Sequence, residues 1–456
     1  MNYKLKLEEY IISKKNKVKI SSKDIKKGDI FLALQGKNYH GNKFILSALK
    51  KGAKFCLTDN INHIKRNEVI YVENLYSYLT SLAIRKRDLY SGKVVGITGS
   101  AGKTTLKETL AFFLKKNFVI SYSEKSYNNK LGVLVSLLNL NLKSNYSIFE
   151  IGTNNFGEIK NLTKIVKPAE IFITNIQSTH LEYFKSKNNI AREKADIFSE
   201  KYNKLREKLY LNKTNIYEDI ILQKAKKEKK LKIIRLGSNL NKYFIKNIIH
   251  KKNFYQVVFS INKKNVLLKI NSPIIFRLAN LLFCYAFFSE NSLKIHTITK
   301  NHHYLKPVDG RGLTHTVLIN KRKIKIIDES YNANPDTMLQ TIDYFDNLKK
   351  DNNKKILIIG NMNELGSNTN KMHLNLLYHI EKYNFKFVIL CGEFYLRSIK
   401  KLINPKNEFI YLKNKNSIMQ FLEEKIHKDD IILSKCSNST EVNKFVKLLL
   451  TKGKLS

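Results

Sequence analysis

Lys103, Thr104 and Glu150 are the side chains whose types and spacing could handle a phosphate. The first two stand near the end of the stretch GITGSAGKTT, residues 96–105. Glycines in such a stretch let backbone N–H groups approach phosphate oxygens, the lysine supplies a point charge, and the threonine hydroxyl can ligate Mg2+. Thr98, Gly99, Ser100, Ala101, Gly102, Lys103, Thr104 and Thr105 are therefore the expected nucleotide cradle. The strict pattern of such a loop wants glycine at position 97, where this chain has Ile97; the glycine comes at Gly99.

Two further side chains end apolar runs. Glu150 closes SIFE, and His180 follows ITNIQST. In open parallel sheets ligands gather beyond the carboxyl ends of the strands, so both should face the crevice that Lys103 faces. Glu150 is a candidate Mg2+ ligand beside Thr104, because Mg2+ prefers a few carboxylate or hydroxyl oxygens together with substrate phosphates. A histidine in that position is as readily structural as functional, and Lys194 taken alone is one lysine among many.

The elements that must position these groups are legible as well. Val94, Val95 and Ile97 read as a buried strand, and Leu106, Leu110, Phe113 and Leu114 recur at helical spacing, so the loop opens onto a helix N-terminus, where anions are favoured. YSIFEIG (146–152) and EIFITNI (170–176) are apolar runs separated by a helical stretch, the alternation of a mostly parallel sheet. Before residue 90, DIFLAL (29–34) reads as a strand, and NKFILSALKKGAKFCLTD (42–59) as helix, glycine stop and strand. After KPVDGRG (306–312), which carries proline and glycine, come KIKIID, KKILIIG, KFVILCG and DIILSK, separated by helical patterns. The expected domains are 1–90, 91–305 and 306–456.

Lys and Arg outnumber Asp and Glu by 82 to 38, a formal charge of +44. Such an excess ordinarily raises nucleic acid as a partner. Here lysine is spread over nearly every segment together with asparagine and isoleucine, which resembles a coding bias more than a patch, so no nucleic-acid partner is expected. Cys56, Cys284, Cys391 and Cys436 form no C-x-x-C pair and suggest a reducing compartment. MNYKLKLEEYIISKK lacks an apolar signal core, and IIFRLANLLFCYAFF (274–288) is short for a bilayer span and carries Arg277, so a buried helix, no membrane insertion and a cytoplasmic location are expected.

GITGSAGKTT, NNKLGV (128–133), FEIGTNNFGEIKNLTKIVKPAEIFITNIQSTHLEYF (149–184), IAREKADIF (190–198), SYNANP (330–335) and GNMNELG (360–366) together resemble the successive motifs of the Mur ligases. The resemblance runs through all three segments. It implies a small α/β first domain that binds a UDP-linked substrate, a central ATP-binding domain with a mostly parallel sheet flanked by helices, and a Rossmann-like α/β third domain. It further implies ATP-dependent amide ligation by a monomer acting on UDP-N-acetylmuramoyl-tripeptide and D-alanyl-D-alanine, through an acyl phosphate, with two Mg2+ ions. On that resemblance Thr104 and Glu150 hold one ion; His180 and a carbamylated Lys194 hold the other. Asn128 and Asn129 lie near the γ-phosphate and the acceptor carboxylate. Asn280, Arg311, Asp328 and Glu329 attend the nucleotide, Ser22 and Lys23 the UDP substrate, and Asn332 and Asn334 the dipeptide.

The chain departs from the family pattern in places. The adenine segment G-x-H-N-x-x-N reads PIIFRLAN here and keeps only Asn280, with Phe276 and Arg277 at the histidine and asparagine positions. The late K-G-S-R reads Lys435, Cys436, Ser437, Asn438. The alternatives are a ligase for a diamino acid or for folate, a nucleic-acid ATPase, and a degraded ligase. The absence of a D-N-P-R segment disfavours the diamino-acid enzyme, and the retained Lys103, Glu150, His180 and Lys194 disfavour the degraded one.

Overall fold

The computed structural model describes residues 3–13, 17–36, 39–62, 65–212, 217–251, 254–270, 277–348 and 351–452. Among these the strands form three sheets, of four, nine and six strands. Val18–Lys19, Ile30–Ala33, Phe55–Thr58 and Val69–Tyr71 lie side by side in chain order, all parallel. The expected helix, glycine stop and strand appear as Ile45–Lys50, Gly52 and Phe55–Thr58.

The central sheet carries the phosphate loop. Lys93–Thr98 is flanked on one side by Tyr146–Glu150 and Ile120–Tyr122, and on the other by Glu170–Ile173, Lys208–Asn212 and Lys232–Leu236, all parallel. Val95 and Ile97 are fully buried, as strands covered by helices on both faces must be. Beyond Lys232–Leu236 the sheet continues through Tyr243–His250, Tyr255–Ile261 and Lys264–Ile270, the last two pairings antiparallel. This extension was not expected from the sequence. Its outer faces carry lysine and asparagine, which dilute the alternation of a hairpin, and the turn at Asn262 and Lys263 takes positive φ (50° and 68°) without a glycine to announce it.

Leu278–Glu290 is the buried helix expected from the apolar run, although residues 271–276, and with them Phe276, lie outside the described residues. Among the described residues no helix is long and apolar enough to cross a membrane. The third sheet runs Leu313–Ile319, Arg322–Glu329, Ile431–Lys435, Lys355–Gly360, Phe387–Cys391 and Phe409–Tyr411, parallel except for its first hairpin. SYNANP leads into Pro335–Asp346: Asn334 caps that helix, sharing a capping box with Thr337, and Pro335 takes the first turn, where its missing N–H costs nothing.

Candidate functional site

The loop after Lys93–Thr98 is shaped by the neighbouring strand end. Gly99 has φ 144°, and a β-carbon there would lie 1.8 Å from the Thr174 hydroxyl, so no side chain fits. Ser100 N–H donates to Asn175 O (3.0 Å), Ala101 N–H to Asn175 Oδ1 (2.9 Å), and the Thr174 hydroxyl to Ala101 O (2.6 Å). The loop is thus held open above the N-terminus of Lys103–Leu114. Lys103 Nζ donates to Gly99 O at 2.8 Å. Burial, reinforced by Arg311, holds its ammonium below the usual lysine range, and Glu150 opposes them.

Glu150 is buried at the end of its strand and takes two hydrogen bonds, from the Thr104 hydroxyl (2.7 Å) and Asn128 Nδ2 (2.7 Å). Thr104 also lies 3.2 Å from the Ser126 hydroxyl, to which Arg311 Nη2 donates at 3.2 Å. Lys107, buried one helical turn beyond Lys103, fixes this corner by donating to Ser123 O (2.6 Å) and to Lys125 O.

A cavity of about 600 Å3 opens over the loop, and the third sheet's loops form its far wall. Ser100, Ala101, Gly102, Lys103, Thr105, Asn128, Glu150, His180 and Asn280 line it from the central unit. Arg311, Glu329, Asn332 and Asn334 line it from the other side. Arg311 stacks on Tyr331, its guanidinium carbon 4.2 Å from the ring centre. Asp336 accepts from Ser178 N–H (2.8 Å) and Lys187 Nζ (2.9 Å), contacts that hold its carboxyl below the usual range against the effect of burial.

The remaining expected residues sit outside the cavity lining. Thr98 and Thr104 are buried beneath the loop, and Gly99 contributes its carbonyl to Lys103. Asn129 caps Lys130–Leu138, accepting from Gly132 N–H at 2.9 Å. Asp328 accepts from the Ser330 N–H and hydroxyl. Lys194 is buried at the end of Lys187–Lys194 and has no ion-pair partner among the described residues; burial first and Lys103 second push its amine well below the usual range. Ser22 and Lys23 lie on a short 3-10 turn of the first unit, where their carbonyls accept from Lys51. Sequence reasoning did not single out Ser126, Lys187, Asp336 or Glu364, and it met Lys435 only as the first residue of the altered K-G-S-R segment. Asp336 and Glu364 carried a signal, one directly after SYNANP and the other inside GNMNELG.

A mostly parallel central sheet whose phosphate loop opens into a cavity walled by another α/β unit defines a P-loop protein built to bring a nucleotide's phosphates against a second substrate. Comparison with known proteins narrows that class. Residues 16–96 match the model described as Mur ligase family, catalytic domain; residues 97–288 match the Mur ligase middle domain; residues 316–438 match the Mur ligase, glutamate ligase domain. UDP-N-acetylmuramoyl-tripeptide–D-alanyl-D-alanine ligase of Rickettsia prowazekii is 32% identical over 443 residues, covering 94% of each chain. The enzyme of the same name from Buchnera aphidicola is 30% identical over 459 residues, covering 96% of this chain and 94% of the relative. Among solved structures, MurF from Acinetobacter baumannii superposes with TM-score 0.79 at 21% identity, covering 96% of this chain and 93% of that one. MurF ligase from Thermotoga maritima in complex with ADP gives 0.76 at 23%, covering 97% and 98%. The chain belongs to the Mur ligase family.

Proposed function

We propose that this chain is the ATP-dependent ligase that joins D-alanyl-D-alanine to UDP-N-acetylmuramoyl-tripeptide, releasing ADP and phosphate and forming the pentapeptide precursor of peptidoglycan. The observation that carries the reading is the likeness to the Rickettsia enzyme along 94% of both chains. The cavity supplies what the chemistry requires: a phosphate loop, oxygen donors and a second wall from another unit. The γ-phosphate of ATP passes to the tripeptide's terminal carboxylate; the dipeptide amine attacks the acyl phosphate, and phosphate leaves from the tetrahedral intermediate. Lys103 and Arg311 offset the repulsion between the two anions and the charge spreading over the transferring phosphoryl. Asn128, whose amide donates to Glu150, would use its remaining N–H toward the acceptor carboxylate.

The donor set fits Mg2+. Thr104 and Glu150 offer buried hard oxygens 2.7 Å apart beside the loop. Among the described residues no three His, Cys, Asp or Glu side chains gather as an ion cage, so an ion there would rely on hydroxyl and phosphate oxygens as well. When bound, it would supply positive charge to the phosphates. A second ion would take His180 and Lys194, the latter only once its amine carries a carboxyl group; the depressed basicity of that buried amine suits addition to CO2 with loss of a proton. We also propose that the domains are 1–90, 91–305 and 306–456, and that the chain works as a cytoplasmic monomer.

Trapping the activated carboxylate tests the reading. With ATP and the tripeptide but no dipeptide, hydroxylamine should capture a hydroxamate; with dipeptide, ADP and amide should appear one for one. Lys103→Ala should abolish both while the melting temperature holds. ATP hydrolysis indifferent to the tripeptide, with neither hydroxamate nor amide, would overturn it.

A further inference from the structure

His180 is not left to orient itself. Its Nδ1 meets Glu364 Oε2, a carboxylate that comes from the third unit, 184 residues away in the chain. The contact is one part of a docked loop. Glu182 N–H donates to the Glu364 backbone carbonyl at 3.1 Å, and His180 and Glu364 both hold positive φ, 53° and 63°, which turns the two loops toward each other. Gly366 seals the approach: at φ 61°, a β-carbon there would lie 3.1 Å from Glu182 Cα. The stretch 177–182 also receives Asn334, at 3.4 Å from Gln177 Oε1, and Asp336, at 2.8 Å from Ser178 N, so three third-unit side chains converge on it.

We infer that Glu364 is a positioning residue that holds His180 as the Nδ1–H tautomer from across the cavity, so that the imidazole is prepared for a cation only when the third unit is docked. The inference rests on the reading of His180 as an ion ligand. A carboxylate accepting from one imidazole nitrogen leaves the lone pair on the other, and such an outer partner fixes both tautomer and ring orientation. His180 lines the cavity, so the freed Nε2 belongs to a side chain already at the site. Closure and completion of the ion site are then one event: an open enzyme holding ATP lacks an oriented His180, which keeps phosphoryl transfer from running before the third unit has arrived.

Nitrogen-15 histidine spectra of the whole metal-free protein, with the His180 signal assigned by its loss in His180→Gln, read the tautomer directly. Wild type should show protonated Nδ1. Glu364→Ala and Gly366→Ala should each move His180 toward the Nε2–H form, while Glu364→Gln, whose amide oxygen accepts the same proton, should restore Nδ1–H. A second arm titrates the ATP-loaded protein with Mn2+ by electron paramagnetic resonance. Glu364→Ala should weaken the His180-dependent ion by about 10- to 100-fold. If His180→Gln binds as much Mn2+ as wild type, the ligand reading fails, and the tautomer spectra still judge Glu364. If the ion depends on His180 but Glu364→Ala leaves both its affinity and the tautomer unchanged, the positioning role is overturned.

Discussion

The central unit meets its two neighbours in different ways. Toward the first unit the seam is apolar and continuous: Leu7, Ile11, Leu79 and Leu82 share one buried cluster with Val133, Leu134, Phe149 and Leu162. Buried cations rivet it. Lys86 donates to Ile11 O (2.7 Å) and Leu138 O (2.6 Å), and Arg87 to Val166 O (2.6 Å) and Lys167 O (2.9 Å). Toward the third unit the contacts are mostly polar side-chain pairs around a cavity, namely His180 with Glu364, Lys187 with Asp336, Ser126 with Arg311 and Gln177 with Asn334, with Met372 packed between the two apolar regions, while the third unit keeps two apolar clusters of its own. An apolar seam is lost only by unfolding, whereas polar pairs exchange with water at little net cost. The first unit is therefore held to the sheet by apolar burial, and the third mainly by contacts that water can replace.

Core truncation breaks this comparison most directly. Leu79→Ala should cost roughly 3–5 kcal/mol, the usual range for a fully buried leucine. In calorimetry it should lower the transition shared by the first and central units and leave the third unit's in place. Leu433→Ala, inside a third-unit cluster, should do the reverse. If each variant moves a single common transition, the two seams do not differ as argued.

Lys86 sharpens the same contrast through pH. Burial lowers its ammonium from 10.5 to about 8. The folded value lies below the unfolded one, so between pH 8 and pH 10.5 the unfolded chain binds the proton more tightly and stability rises with pH. The gain should approach roughly 3 kcal/mol across that window. Lys86→Met should flatten the rise in urea unfolding of the first and central units. A wild-type curve that falls over this interval would contradict the assignment.

Asp336 probes the other side. Asp336→Asn removes the charge facing Lys187 and weakens the bond to Ser178 N–H, both partly solvated, so unfolding should shift by under about 1 kcal/mol. Turnover should fall about tenfold, because closure over the acyl phosphate excludes water only while the third unit stays docked. A large stability loss with unchanged turnover would make the contact structural.

What the sequence revealed follows from how far apart the parts of each feature lie in the chain. The phosphate loop, its strand and its helix occupy residues 93–114, and local pattern was enough to place Lys103 and Thr104. Glu150 and His180 needed only the rule that ligands meet at strand ends. The third-unit wall is assembled from loops more than 100 residues away, so the Glu364–His180 and Asp336–Lys187 pairs had no local signature. Lys86 and Lys107 were hidden for another reason: in a chain this rich in lysine, a buried ammonium bound to carbonyls reads as one more surface charge.

The smallest expected effect concerns Arg277, which stands where the family pattern has asparagine in the adenine segment. Its guanidinium is buried and donates to Lys306 O (3.0 Å) and Arg311 O (3.4 Å), the carbonyls of the segment that joins the central and third units. Burial lowers it to about 10 against the pull of Glu329, which leaves it fully charged at neutral pH. The residue therefore serves the separable seam and offers no amide to a base. Asn280 sits beside the loop, its Oδ1 3.9 Å from where a Gly102 β-carbon would be. A site without a matching polar partner cannot strongly reject the wrong purine, so ATP should exceed GTP in kcat/KM by less than about tenfold. Arg277→Asn should slow turnover a few-fold with both nucleotides alike, through the joining segment. A preference for ATP above about 100-fold that disappears in Asn280→Ala would instead assign purine reading to Asn280, and the joining segment would lose its claim on nucleotide use.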